Sequence, residues 1–174
     1  MEDNREYTPI GRYDGLLYSV YLNKRLSRTL RLISHGIVAV CVAVFGVALA
    51  LAFYNNLVVG VKLAAVTGIP FVLVTVLRKL IDAKRPYEVL PFYEEAPKSK
   101  RGQSFPSRHV FSCILIGTTL AFYNLVVGIA LVCLGAALAL IRVLLGIHFI
   151  RDVVTGALAG AVCGVLGMLT VLFI

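Results

Sequence analysis

The sequence predicts an all-α protein, a polytopic membrane bundle of about five transmembrane helices preceded by an interfacial helix. Three observations predict it. First, 59% of the 174 residues are hydrophobic and the mean hydropathy is +0.89, more apolar surface than a soluble domain of this length can bury. Second, the apolar residues are gathered into runs close to the ~20 residues that a bilayer-spanning helix needs. Third, the charges lie between the runs, and alternating the runs across a bilayer puts nearly all of them on one face.

The elements follow in order. Residues 1–31 read as an interfacial segment, distinct from a transmembrane bundle over residues 32–174. Within the segment Leu16, Leu17, Val20 and Tyr21 recur at helical spacing and Lys24, Arg25, Arg28 and Arg31 follow, the pattern of a helix lying along headgroups. It lacks the apolar core and small-residue cleavage site of a signal peptide. The spans are expected at residues 32–54, 57–77, 107–123, 125–147 and 153–174, the third being the shortest. Asn55-Asn56 and Asn124 form short links on one side; the loop over residues 78–106 and the turn over residues 142–152 lie on the other. Lys62 is the exception to the charge asymmetry and is expected to snorkel to the far interface. Gly156, Gly160 and Gly164, each four apart in the last span, predict a close helix contact, within the bundle or between subunits of a homo-oligomer.

Composition excludes several functions. The net charge of +8 fits topology signals and anionic headgroups in a membrane protein, not nucleic acid. Cys41, Cys113, Cys133 and Cys163 all fall inside apolar runs and read as packing residues, not as a disulfide framework or a metal site. Glu88, Glu94 and Glu95 match no metal-ligand spacing and read as a solvated rim. No metal or cofactor is expected.

Three clusters remain at the charged face: Arg78, Lys79, Lys84, Arg85 and Pro86; then Ser104 to His109; then Arg142, His148 and Asp152. His148 and Asp152 are four apart and share a face if the last helix begins there. A carboxylate so placed fixes one imidazole nitrogen and leaves the other free to attack. His109 is a second imidazole suited to general-acid work. Arg78, Arg85 and Arg142 match an anion with several oxygens. Ser104 can cap a helix whose first turn holds Pro106, placing free N–H groups near Ser107 and Arg108 for a phosphate oxygen. In-line phosphoryl transfer needs such a nucleophile, acid and cluster of positive charge. Taken singly, His109 reads as a helix-end histidine and Arg142 as a snorkelling arginine. His35 reads as an interfacial or packing histidine.

The three clusters together resemble the signature of the type 2 phosphatidic acid phosphatase superfamily. That signature is a lysine, six residues and Arg-Pro; then Pro-Ser-Gly-His; then Ser-Arg, five residues, His, three residues and Asp. This chain has Arg78 through Arg85-Pro86, Pro106-Ser107-Arg108-His109, and Ile141-Arg142 with His148 and Asp152. The resemblance covers about residues 57–174. Three positions depart from it: Arg78 stands at the lysine, with Lys79 beside it; Arg108 replaces the glycine; Ile141 replaces the serine.

The resemblance implies a small bacterial-type membrane lipid phosphatase. His148 would form a phosphohistidine, Asp152 would hold His148, and His109 would protonate the leaving oxygen. Arg78, Arg85, Ser107, Arg108 through its N–H, and Arg142 would bind phosphoryl oxygens, with Lys79 the weakest of the set. The substrate would be a lipid phosphate or diphosphate in the bilayer; undecaprenyl diphosphate, phosphatidylglycerol phosphate, phosphatidic acid and lipid A phosphates all stay open. Transfer to another acceptor, a non-catalytic scaffold and vanadate-dependent haloperoxidase chemistry are the rivals, the last opposed by the five spans. The excess of Lys and Arg on the catalytic face places that face towards the cytoplasm of a cell membrane, although many bacterial relatives work on the outer side.

Overall fold

The structure, a computed structural model, describes residues 12–90 and 101–173. Among the described residues seven helices follow in order: α1 (Arg12–Leu22), α2 (Lys24–Asn55), α3 (Leu57–Ile81), the single turn α4 (Pro86–Val89), α5 (Arg108–Ala121), α6 (Leu125–Leu144) and α7 (Ile150–Phe173). The all-α bundle is as the sequence predicts. Among the described residues four helices, beginning at Lys24, Leu57, Leu125 and Ile150, are long and apolar enough to cross a membrane.

The third expected span becomes α5, a helix of 14 residues, which at 1.5 Å per residue reaches only ~21 Å. Its position explains how so short a helix persists. It packs against α6 and α7 and also touches α2 and α3. Val110, Phe111, Cys113, Ile114, Leu115 and Ile116 are buried in succession, so α5 is covered by protein all round and need not match the bilayer thickness.

The outer helices carry their apolar side chains outward. Leu32, Val47, Leu73, Val126, Leu140 and Leu158 are all exposed, the surface that a hydrocarbon solvent requires. α2 has 32 residues, about 48 Å of helix against a hydrocarbon core of ~30 Å. It begins eight residues before the expected span, after Asn23, whose side chain accepts the Leu26 N–H at 2.9 Å. Lys24, Arg25, Arg28 and Arg31 therefore form the first turns of α2 and are exposed; Lys, Arg and Leu are good helix formers and continue the helix past the bilayer. α1 is present, with Leu17 and Val20 buried against α2 and α6, while Leu16 faces outward.

The short links cap helices as their sequences imply. Asn56 accepts the Val58 N–H at 2.8 Å and Asn124 accepts the Val127 N–H at 3.1 Å, each satisfying a donor that the first helical turn leaves free. At the same far end the Lys62 ammonium donates to the Val171 carbonyl at 3.4 Å, a cation on the final carbonyls of α7.

The glycine stripe of α7 is used inside the bundle. A Cβ at Gly156 would stand 2.7 Å from the Ser107 carbonyl oxygen, at Gly160 2.5 Å from that of Phe111, and at Gly164 2.9 Å from Thr118. This face therefore packs on α5, the contact within the bundle that the sequence offered. Cys41 and Cys113 are buried in the core as packing residues, while Cys133 is exposed.

Candidate active site

The site lies where the C-terminal end of α3, the start of α5, the end of α6 and the start of α7 meet. It is assembled from the backbone outward. α3 ends at Asp82, which adopts the left-handed conformation with φ 42°. The strand of chain at Gly102–Ser104 then lies along residues 82–85. The Ser104 N–H donates to the Ala83 carbonyl at 2.8 Å, and the Gln103 N–H donates to Asp82 Oδ1 at 3.2 Å. Arg85 Nε donates to the Gly102 carbonyl at 2.9 Å, and the buried Arg78 donates to the Gln103 carbonyl. Glu88 completes the tie: its Oε1 accepts the Arg85 N–H at 3.1 Å and the Gly102 N–H at 2.8 Å. Glu88 is thus a structural clamp and not part of a solvated rim; Glu94 and Glu95 lie outside the described residues. Each arginine has five N–H donors, so one bond to a carbonyl orients the guanidinium and leaves donors for a ligand.

The turn between α6 and α7 is closed in the same way. Gly146 takes φ 63°, a conformation that glycine adopts without cost. The Ile147 and His148 N–H groups both donate to the Arg142 carbonyl, at 3.0 and 3.3 Å. This places His148 directly over the arginine turn. The Ser107 N–H donates to the Asp152 carbonyl at 2.9 Å, seating the first turn of α5 beside α7. The three sequence clusters are therefore joined by main-chain bonds.

His148 precedes α7 by two residues, and it and Asp152 are fully buried. Nδ1 lies 3.8 Å from Asp152 Oδ2, too far for a direct hydrogen bond. The buried Ser104 hydroxyl stands between them. It lies 3.3 Å from Nδ1 and donates to Asp152 Oδ2. Its proton being given to the carboxylate, its oxygen is left to accept from Nδ1–H. The Phe149 N–H holds the same carboxylate oxygen at 3.0 Å. Asp152 thus orients His148 through Ser104, where the sequence implied a direct contact. The helix cap assigned to Ser104 is corrected as well: Ser107 is the N-cap of α5, with no side-chain capping bond. Ser104 sits one turn too early and is taken by the His–Asp pair.

Burial pushes the His148 imidazole below its ordinary range, and its interaction with Asp152 works against that shift. That shift favours the neutral ring, with Nδ1 facing Ser104 and Nε2 on its other side.

Two polar atoms here are suited to an anion. Ser107 Oγ and Arg142 Nε are buried with no hydrogen-bond partner, and a buried polar atom without a partner demands an explanation. Both are donors, as a phosphoryl oxygen requires. The first N–H groups of α5, from Arg108 onward, add the partial positive charge of a helix N-terminus.

His109 and Arg142 line a cavity of about 500 Å³ whose other wall is α2. His109 and Arg108 line a smaller one of about 170 Å³ between α2, α3 and α5. The Arg108 guanidinium lies 5.6 Å from the centre of the Phe71 ring, a cation–π distance. Ile141, at the serine of the signature, is buried in the core.

Of the residues singled out from the sequence, the structure brings together Arg78, Arg85, Ser107, Arg108, His109, Arg142, His148 and Asp152. It does not bring Lys79, which is exposed on α3 while its neighbour Arg78 is buried. Consecutive helical residues differ by about 100° in direction, so only one of the pair can face the site. Ser104 as a relay was missed, because no spacing rule marks it. Tyr13 of α1 has a hydroxyl buried without a partner; burial, then Asp14 and Asp152, push its phenol up. Among the described residues no group of three His, Cys, Asp or Glu stands together as a metal site.

A membrane-embedded helical bundle with an Arg, Ser-x-His and Arg/His/Asp site at one end defines the class. The sequence model of the PAP2 superfamily matches residues 59–173, and the chain belongs to that family. Among solved structures it is similar to a transmembrane PAP2-type phosphatidylglycerolphosphate phosphatase from Bacillus subtilis, with TM-score 0.65 and 21% identity over 90% of this chain and 82% of that one. It is also similar to LpxE of Aquifex aeolicus, with TM-score 0.63 and 21% identity over 88% of this chain and 93% of that one. At these identities the likeness is one of fold. A search of the curated proteins returned no match.

Proposed function

We propose that the chain is a membrane lipid phosphatase that hydrolyses a lipid phosphate or diphosphate through a phosphohistidine, without a metal. The observation that carries this reading is the buried His148–Ser104–Asp152 chain beside two unpartnered phosphate donors, Ser107 Oγ and Arg142 Nε. His148 Nε2 attacks phosphorus. Its P–N bond forms as the P–O bond to the leaving group breaks, and His109 supplies the proton that the departing oxygen takes up. Arg78, Arg85, Arg142, Ser107 and the α5 N-terminus hold the equatorial oxygens, where charge is spread in the transition state. Water then cleaves the P–N bond and releases inorganic phosphate, with His109 now accepting its proton.

The substrate side of the reading rests on the fold. The site lies at the end of a lipid-facing bundle, and the Bacillus subtilis relative is by its name a phosphatidylglycerolphosphate phosphatase. The exposed Lys24, Arg25, Arg28, Arg31, Lys79, Lys84 and Arg101 form a catalytic-face excess that supports a cytoplasmic orientation in the cell membrane. A reporter fused at residue 174 tests it: a signal from the non-cytoplasmic side supports this, and a cytoplasmic signal overturns it.

The experiment for the reaction is phosphate release from a panel of lipid phosphates and diphosphates, with purified protein in detergent and a chelator present. Turnover by the native chain, its loss in His148→Ala and acid-labile labelling of His148 are the expected results. Activity that needs a divalent ion, or that survives His148→Ala, overturns the mechanism. Product that appears only with an added hydroxyl acceptor replaces hydrolysis by transfer.

A further inference from the structure

All three histidines of the chain are on this side of the molecule, and one has no part in the chemistry above. His35 lies on α2, outside every motif, and faces the same 500 Å³ cavity as His109 and Arg142. The α2 residues along that wall are His35, Val38, Ala39, Val42 and Ala43. Their spacing of three and four marks a single helical face. The face is graded: a polar side chain at the end nearest the basic turns of α2, then small apolar ones deeper in the span. His35 is exposed at the mouth of this cavity, and an ionisable residue on a membrane helix beside a cationic site calls for a partner there.

The direction of the reaction says what that partner is. In an in-line displacement the leaving oxygen departs on the side of phosphorus opposite the nucleophile. His109, the proposed proton donor for the leaving oxygen, lines the cavity. The cavity is therefore the leaving-group side. What departs must be an amphiphile, and the graded α2 wall suits one.

We infer that His35 is a specificity residue that hydrogen-bonds an oxygen of the leaving group beyond the scissile ester, while Val38, Ala39, Val42 and Ala43 seat the start of its chain. The assignment rests on the phosphatase reading above. The selected substrate is then a lipid whose leaving group carries a second polar group next to the broken bond, a further phosphate or a glycerol oxygen. A phosphate joined directly to a plain hydrocarbon is disfavoured, because its leaving group offers the imidazole no oxygen to bond beyond the scissile ester.

Two substrates with the same chain isolate this contact. Farnesyl diphosphate departs as farnesyl phosphate, rich in oxygen; farnesyl phosphate departs as the bare alcohol. In His35→Ala, kcat/KM should fall at least tenfold more for the diphosphate than for the monophosphate, and His35→Gln, which keeps a donor, should recover part of the difference. Equal losses on both substrates, or no loss on either, overturn the assignment. A binding arm separates it from the hydrolase reading. In a His148→Ala background, which holds substrate without turnover, adding His35→Ala should weaken farnesyl diphosphate binding at least tenfold more than farnesyl phosphate binding. If the native chain turns over neither compound but this difference in binding is present, the reaction fails and the subsite stands. If turnover is present and the difference is absent from both arms, the subsite fails and the reaction stands.

Discussion

Ser104→Ala is the sharpest perturbation of the nucleophile. In the native chain the Ser104 hydroxyl is the link between His148 Nδ1, at 3.3 Å, and Asp152 Oδ2, and it is wholly buried. Removing it leaves the imidazole and the carboxylate 3.8 Å apart with a methyl group between them. Asp152 keeps the Phe149 N–H at 3.0 Å, so the carboxylate stays in place, but the Nδ1 proton loses its acceptor. A hydrogen bond linked to a charged group contributes about 1.5–3 kcal/mol, and 1.36 kcal/mol is a factor of ten in rate. Phosphoenzyme formation should therefore slow by roughly 10- to 150-fold, with substrate affinity nearly unchanged because the phosphate donors are elsewhere. Rapid-quench measurement of acid-labile phosphoprotein separates this step from phosphate release. Ser104→Thr, which keeps the hydroxyl, should retain far more of the rate. A Ser104→Ala protein that folds and phosphorylates at the native rate would refute the relay and restore a direct His–Asp contact.

Two further outcomes follow. Arg78→Ala should cut kcat/KM by about 100-fold or more, since it removes a buried, hydrogen-bonded cation worth ~3 kcal/mol or more, while Lys79→Ala should change it by less than about threefold, as expected of an exposed charge; equal effects of the two would mean that α3 is rotated in solution. Because burial lowers the His148 pKa, the acid limb of the phosphorylation rate should lie below the ordinary histidine value of about 6.5. The sign for stability is the same: the contribution of a neutral, buried His148 is present above that value and is lost as the pH falls through the lowered folded-state pKa. A limb above about 6.5 in a pH series of single turnovers contradicts this.

How much was legible in the sequence differs by physical cause. The outer spans were, because a helix facing lipid must be apolar along its whole length, and residues 57–77 and 125–147 could be nothing else. The start of α2 was not, since Lys24 to Arg31 are polar yet helix-forming, and only the structure shows that the helix runs through them. The short α5 was read as a span because burial in protein and burial in lipid select the same residues. His148, Asp152, His109 and the arginines were legible through their joint spacing. Ser104 and His35 were not, for opposite reasons. Ser104 was given the commonest job of a serine before a helix, a cap, when a tertiary contact across 48 residues claimed it. His35 lies outside the motifs, and only the packing of α2 against α5 and α6 turns it towards His109.

The glycine stripe shows how packing and chemistry are tied together. Small residues four apart lower the closest approach of two helices, and in α7 all three act on α5. Gly156 is the critical one, since its missing side chain would sit 2.7 Å from the Ser107 carbonyl oxygen. Ser107 is the N-cap of α5, its N–H is bonded to the Asp152 carbonyl, and its hydroxyl is one of the unpartnered phosphate donors. Any residue larger than glycine at position 156 would push that turn away from α7. The α5 N-terminus would then move off the nucleophile's side of the site, and the phosphoryl group would lose donors while His148 and Asp152 stayed where they were. Gly160 and Gly164 hold the rest of α5 at the same close distance, so the helix cannot pivot to relieve a clash at its start. The stripe that the sequence offered as a packing feature is therefore what sets the spacing between His148 and the Ser107 turn, the proposed nucleophile and anion-binding turn.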